Sequence, residues 1–454
     1  MSSAPTNEFP FIMTTTPNTK SFSFIISAAG KFIIDWGDGN IEKIDKNKTG
    51  EQTISHSYNN AGAHKIKLGG KATGYDGRYA VISFYENLNL AKIDGSLGQI
   101  FSTLSDGAQP GFGSLWDRRG TFKGCTNLTG SIPEKLFAGI SGAPDCDMFN
   151  STFVGCSNLT GSIPEKLFAG IEGAPADGMF DSTFLGCSGL SGNIPEKLFA
   201  GVSGAPAEYM FNRTFDGCSG LSGNIPEKLF AGVSGAPAKY MFSSTFDGCS
   251  NLTGSIPEKL FAGVSGAPAE DMFSHTFYGC SGLSGNIPEK LFAGISGAPA
   301  SYMFHYTFYG CTGLSGNIPE NLFAGIYGPP ARSMFDCTFW NCSGLSGTMD
   351  WLGNIQNIKA PSAVTETKKE SKPVVAPEFK PMPDMQTSNT LCVNISLSGN
   401  MIEKIPNLKS NIIGGVCSAY FAKNTNTDVQ IKCDSVDANK FTVIISEKQN
   451  GKQR

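Results

Sequence analysis

The middle of the chain repeats one phrase of 31 residues without insertion or deletion. A period of this length, kept in register, is typical of stacked, identical supersecondary units, so a solenoid with an extended surface is predicted. A cysteine marks the same point of each copy. Because side chains in neighbouring units run parallel, their Cβ atoms stay about 5 Å apart, too far for a disulfide. We interpret these cysteines as a core ladder of small, buried free thiols: Cys125, Cys156, Cys187, Cys218, Cys249, Cys280, Cys311 and Cys342.

The sequence pattern of one repeat, residues 205–235, predicts short helices and one short strand. Apolar residues recur at helical spacing from Pro206 to Cys218, and proline suits the first turn of a helix. Leu221 and Ile225 share one face of a short parallel strand, and a helical turn follows. The predicted fold class is therefore a repeat solenoid with one strand plus short helices per coil, flanked by small β-rich modules. The residues expected in the core of this unit are Phe211, Phe215, Leu221, Ile225, Leu229 and Phe230.

The repeated phrase resembles the leucine-rich repeats of bacterial BspA-like surface proteins. The likeness lies in Met-Phe followed by Thr-Phe-x-Gly-Cys, a leucine three residues later and an isoleucine four residues after that, and it covers residues 89–352. It implies a curved, leucine-rich-repeat-like protein of the cell surface that takes part in adhesion or host contact. The 31-residue period and the Ile-Pro phrase depart from that family, which leaves the handedness and curvature open.

Residues 1–88 predict an antiparallel β module, with Asp-Gly hairpin chemistry between alternating segments. The WGDG motif at 36–39 and the HSY motif at 56–58 resemble the marks of PKD-like β-sandwich modules. That resemblance implies an extracellular spacer or presenter. Two interpretations of Asp35 and Asp38 are open: they are calcium ligands, or they are carboxylates that cap turns, which is the commoner role.

The other boundaries follow from changes in composition. Residues 89–120 are predicted to be a degenerate N-terminal capping repeat, and 121–358 the leucine-rich-repeat-like solenoid. Residues 359–390, rich in Pro, Lys and Glu, are predicted to be an extended linker. Residues 391–454 are predicted to be a small β-rich C-terminal module.

The copies differ mainly at the residues flanking each Met-Phe pair and before each Gly-Cys pair. In the predicted helix these positions lie opposite the phenylalanines, on one solvent-facing ridge. Tyr, Trp and Arg commonly anchor interfaces, so the ridge is predicted to bind a partner, whereas neutral drift at exposed positions is the open alternative. The predicted binding residues are Tyr209, Arg213, Asp216, Tyr240, His275, Tyr278, Tyr302, His305, Tyr306, Tyr309, Arg332 and Trp340.

Charge and motif content narrow the function. Charged residues make up 16% of the chain and the net charge is −4, which gives no electrostatic basis for binding nucleic acid or an anionic membrane. No apolar run is long enough for a membrane span, and a leader peptide is expected to have been removed. None of the four histidines lies in a nucleophile or metal motif, so we expect a non-enzymatic protein without cofactor or metal.

The predicted function is therefore recognition or adhesion by a cell-surface or secreted protein. Its partner is expected to be a protein or glycan ligand on another surface. The alternative is a structural subunit of an extracellular filament or appendage that self-assembles through its terminal modules.

Overall fold

The computed structural model divides the chain into two compact units, Met1–Ser346 and Gly347–Arg454. The described part of the first unit consists of strands, isolated bridges and turns, and the described part of the second consists of two β-hairpins. The predicted linker at 359–390 lies outside the described residues. The residues that the structure describes are 9–114, 119–347, 409–413, 416–420, 427–433 and 441–447.

Eight antiparallel strands build the N-terminal module as two sheets. One sheet has five strands in the order β4-β3-β6-β1-β8, and the other has three in the order β5-β2-β7. The strands are β1 Phe11–Thr15, β2 Thr19–Ile26, β3 Ala29–Asp35, β4 Ile41–Lys46, β5 Gln52–Gly62, β6 Lys65–Gly74, β7 Ile82–Ser83 and β8 Leu90–Gly95.

Aromatic side chains from both sheets meet in the core of this module. Burial alternates along β1, as expected for a strand with one face against a core. Phe24 of β2 lies 6.1 Å, between ring centroids, from Trp36, which follows β3. Phe84, just after β7, lies 6.3 Å from Phe11 of β1 and stacks on Phe122 of the first repeat at 5.5 Å. The aromatic core therefore continues from the module into the repeats.

The predicted fold class, a leucine-rich-repeat-like solenoid with short helices, is wrong. The described residues contain no helix, and their extended sheets are antiparallel. Where a helix was predicted, from Pro206 to Cys218, the backbone amides alternate between two kinds of acceptor. The amide of Phe211 donates to Met241 O of the next repeat at 3.0 Å, and the amide of Asn212 donates to Tyr209 O, three residues back, at 3.1 Å.

Left-handed residues explain why this segment is not helical. Tyr209, Arg213 and Gly217 have φ angles of 56°, 51° and 70°. An α-helix needs φ near −60° at every residue, so a left-handed residue at every fourth position replaces the helix by successive turns. This four-residue turn puts apolar side chains on the inside with nearly the same spacing as a helix.

The predicted strand of each repeat is also shorter than expected. Most repeats meet there through single parallel bridges, such as Gly192 with Leu221. Within the described repeats, two-residue strands occur once, where β9 (Gly316–Asn317) pairs in parallel with β10 (Leu345–Ser346). We call residues 121–347, joined in this way, the repeat stack.

Identical side chains form columns inside the repeat stack. The ring of Phe211 is stacked 5.6 Å from Phe180 in the preceding repeat and 5.6 Å from Phe242 in the following one. The six residues predicted for the core of this unit are all at most 3% exposed. Each marker cysteine is a buried free thiol that donates to a phenylalanine carbonyl, as Cys218 Sγ does to Phe184 O at 3.0 Å. Burial raises the pKa of the Cys125 thiol to about 12.

Two antiparallel hairpins are described in the second unit. In the first, β11 (Lys409–Ile413) pairs with β12 (Val416–Tyr420). In the second, β13 (Thr427–Cys433) pairs with β14 (Phe441–Glu447). Both hairpins lie within the predicted C-terminal module.

Candidate binding surface

The residues flanking each Met-Phe pair and preceding each Gly-Cys pair, where the repeats differ most, lie on one face of the repeat stack. Because residues 31 apart occupy equivalent places in successive repeats, the differing positions form columns along the stack. We call this surface the variable face. In the repeat around Phe211 it comprises Glu208, Tyr209, Asn212, Arg213 and Asp216.

A cleft of about 520 Å³ crosses four repeats of the variable face. It brings together seven of the twelve predicted binding residues: Tyr209, Arg213, Asp216, Tyr240, His275, Tyr302 and His305. The other five, in the same or adjoining columns but outside the lining of the cleft, are Tyr278, Tyr306, Tyr309, Arg332 and Trp340. The prediction missed further residues that line it, namely Asn212, Ser243, Ser244, Asp247, Asp271 and Ser274. Their 31-residue spacing from predicted members was the signal that could have found them.

Half-buried carboxyl groups give the cleft unusual acid–base properties. Burial raises the pKa of Asp216 to about 6, against the opposing effect of Arg213. Burial and the neighbouring carboxylate of Asp216 raise the pKa of Asp247 to about 8. Asp271 also has its pKa raised by burial, to about 6. At neutral pH, Asp247 is therefore largely protonated and able to donate a hydrogen bond.

The two histidines of the cleft are neutral at physiological pH. Burial, aided by the charge of Arg213, lowers the pKa of His275 to about 4. Burial lowers the pKa of His305 to about 3. Ser274 Oγ lies 2.9 Å from His275 Nδ1, within hydrogen-bonding distance. These rings therefore contribute polarity and shape to the cleft, and no positive charge.

Aromatic rings on the variable face are stacked on one another. The rings of Tyr209 and Tyr240 are 4.6 Å apart and inclined by 5°, and those of Tyr278 and Tyr309 are 4.6 Å apart and inclined by 4°. Trp340 follows Tyr309 at 6.5 Å. Because the facing surfaces of stacked rings cover each other, these columns present ring edges and hydroxyl groups outward. A sugar ring that needs a free aromatic face finds little room between stacked tyrosines.

The backbone of the variable face is strained in every repeat. The residue before each Met-Phe pair and the second residue after it are left-handed, and thirteen of these fourteen positions carry a residue other than glycine. The exception is Gly178. A left-handed L-residue costs roughly 1–2 kcal/mol relative to its ordinary conformation. Large side chains are held there nonetheless, among them Tyr209, Arg213, Tyr240, His275, Tyr302 and Tyr306.

Replacing Ser333 by glycine is expected to raise the free energy of unfolding by about 1 kcal/mol, as seen in chemical denaturation. Its φ angle is 47°, so glycine removes the strain at this position. The matched control is Ser296→Gly, because Ser296 lies outside the left-handed region. There, glycine only adds freedom to the unfolded chain, which lowers stability by about 0.4–1 kcal/mol. Equal effects at both sites would contradict the strained backbone.

The acidic residues of the WGDG segment act as turn caps in this structure. Asp35 Oδ1 accepts a hydrogen bond from the amide of Gly37, and Asp38 Oδ1 accepts one from the amide of Asn40, both at 3.0 Å. Asp35 Oδ2 pairs with Lys67, and Asp38 Oδ2 lies 2.8 Å from Nε2 of His56. These contacts occupy both carboxylates and favour the capping interpretation over calcium binding.

In the part of the chain that the structure describes, no three metal-ligating side chains cluster at a common point, and no apolar helix has the length of a membrane span. Comparison with known proteins gave no match to a family model, to a curated protein or to a solved structure. The function must therefore be inferred from the variable face itself.

Proposed function

We propose that this chain is a non-enzymatic recognition protein, secreted or displayed at a cell surface, that holds a partner on its variable face. The core columns are nearly identical from repeat to repeat, whereas the variable face changes at almost every step. Repeats with the same core and different side chains on the variable face suit recognition, because each repeat contributes a different contact to one continuous surface.

The left-handed positions are the observation that carries this proposal. Glycine and asparagine adopt this conformation at the lowest cost, so neutral drift would favour them there. Serine or cysteine stands at five of these places, and tyrosine, arginine, histidine or aspartate at eight, as at Tyr209, Arg213 and His275. Strained residues persist mainly where their side chains have a use, which favours recognition over drift.

The chemistry of the face favours a protein partner over a sugar polymer. Stacked tyrosines offer edges and hydroxyl groups, and Arg213 and Arg332 are exposed beside them. Tyrosine and arginine are enriched among residues that dominate the energy of protein interfaces. Glycan binding would be detected by the same binding screen that tests for a protein partner.

The experiment is a binding screen of the purified full-length chain against arrays of cell-surface proteins and glycans. Electron microscopy of the same sample and of a chain ending at residue 390 accompanies the screen. The proposal expects a protein ligand and single particles in both samples. Filaments that vanish on truncation, without any ligand on the arrays, would instead support the appendage subunit. Binding to glycans alone would overturn the choice of a protein partner.

A further inference from the structure

One column of the variable face has a break in its row of tyrosines. The residues that precede Met-Phe in four successive repeats are Tyr209, Tyr240, Asp271 and Tyr302. All four are left-handed, with φ angles from 53° to 57°, so the backbone is equivalent at each step. Aspartate therefore stands where the pattern of its neighbours places a ring. We call the space at Asp271, between Tyr240 and Tyr302, the notch.

The dimensions of the notch suit a flat or compact cation. Tyr240 and Tyr302 are two repeats apart, and two repeats span roughly 9–10 Å at the strand spacing of about 4.8 Å. A group midway between them lies about 5 Å from each ring, inside the reach of about 6 Å for a cation–π contact. All three residues line the cleft of the variable face, so the notch opens into it.

The chain already pairs a guanidinium with one of these rings. Arg332, from the following repeat, holds its Cζ atom 5.3 Å from the centroid of Tyr302. A tyrosine in this column can thus accept a guanidinium contact, and the notch offers a second such place on the side of Asp271.

The charges around the notch favour a positive ligand. The carboxyl group of Asp271 is hydrogen-bonded to the side chains of Ser274 and Tyr240, and neither neutralises its charge. Nearby Glu270 adds a negative charge that Lys239 balances at 3.1 Å. Asp216, which is mostly ionised at neutral pH, lies in the same cleft, where Arg213 is the basic residue of the lining and the histidines are neutral. Asp247 is mostly protonated there and adds little charge. The cleft therefore has more carboxyl groups than cations to meet them.

We propose that the notch receives an arginine side chain of the protein partner, with its guanidinium between Tyr240 and Tyr302 and its N–H groups directed to Asp271. Arginine fits better than lysine because its planar fork stacks on aromatic rings and pairs with a carboxylate through two hydrogen bonds. This inference rests on the proposed function, since it specifies what the variable face recognises.

The test is an NMR titration of the full-length chain, labelled at tyrosine, with N-acetyl-arginine amide and its neutral isostere N-acetyl-citrulline amide. The arginine compound is expected to shift the Tyr240 and Tyr302 resonances and to bind at least about tenfold more tightly than the citrulline compound. Asp271→Asn, which keeps the shape of the side chain, should reduce arginine binding to the citrulline level. Equal binding of the two compounds to the unaltered chain would overturn the proposal.

Two further variants separate the notch from general effects of charge and folding. Asp271→Tyr fills the notch with the residue that this backbone already holds at three neighbouring positions, so the variant should fold and lose arginine binding. Glu172→Gln removes an exposed negative charge outside the cleft and should leave binding unchanged. A filled notch that still binds arginine would contradict the inference. If a protein ligand from the arrays binds the chain but the arginine compound does not, the inference about the notch is wrong. The proposed recognition function is then unaffected.

Discussion

Replacing Phe211 by alanine is expected to lower the free energy of unfolding of the repeat stack by about 3–5 kcal/mol. The Phe211 side chain is fully buried and is stacked on rings of the preceding and following repeats. It also contacts Phe199 and Phe230 with tilted rings at 4.8 and 4.6 Å. Deleting the ring leaves a cavity that touches three successive repeats, and rigid columns cannot collapse to fill it.

The measurement is chemical denaturation of the full-length protein, followed by tryptophan fluorescence and circular dichroism. Phe335→Ala is the matched control, because Phe335 is the equivalent residue of the last repeat and is only half-buried. Its stacked neighbour among the described residues is Phe304, at 5.5 Å. The loss there should be about half as large, since stability in such arrays is roughly a sum of repeat and neighbour terms. Equal losses at the two sites would argue against columns that stabilise through stacking.

The second large effect is a loss of stability between pH 6.5 and 8 that depends on Asp247. The pKa of this carboxyl is about 8 in the folded protein, against an ordinary value of 3.8 for aspartate. A raised pKa means that the folded state binds the proton more tightly, so stability falls as pH rises from the unfolded pKa through the folded one. Asp216 and Asp271, with pKa values of about 6, are mostly ionised above pH 6.5.

The two histidines of the cleft affect the stability of the fold over a different pH range. His275 and His305 have lowered pKa values in the folded protein, so their contribution is present above the unfolded value of about 6.5 and is lost as pH falls below it. Asp247 is therefore the main titrating group of the variable face between pH 6.5 and 8. One carboxyl over this interval removes about 2 kcal/mol at most, at about 1.4 kcal/mol per pH unit.

Denaturation curves at pH 6.5 and 8 test this expectation. The unaltered protein should lose up to about 2 kcal/mol between the two values, whereas Asp247→Asn should lose much less because asparagine does not titrate. Asp336→Asn, in a different column of the variable face, should retain the full pH dependence. A pH dependence that persists in Asp247→Asn would assign the titration to another group.

The sequence allowed the repeat unit and its buried residues to be predicted, but not the backbone that joins them. A spacing of four between Phe211 and Phe215 fits a helix and equally fits the four-residue turn that the structure contains. Left-handed conformations are normally signalled by glycine or asparagine, and here only Gly217 gives that signal. Tyrosine and arginine rarely adopt left-handed conformations, so local preference at Tyr209 and Arg213 predicted a helix. Stacking between repeats instead determines the turned backbone.

The variable face was found from the sequence because it depends on periodicity alone. Residues 31 apart fall in one column whether each repeat is helical or turned, so Tyr209, Tyr240 and Tyr302 were grouped correctly. The cleft needed coordinates, since its depth and the burial of Asp247 follow from how neighbouring columns pack. The notch at Asp271 became visible only once the equivalent left-handed backbone of its column was known.

The most direct test of this account is the affinity of the array-identified partner for a chain with an altered variable face. In the altered chain, serine replaces Tyr209, Arg213, Tyr240, His275, Tyr302 and Tyr306, because other repeats carry serine at equivalent positions. The core columns are unchanged, so the thermal unfolding curve should remain close to that of the parent. Recognition by the variable face predicts that binding weakens by about a hundredfold or more. Unchanged affinity in a folded, altered chain would show that the partner binds elsewhere.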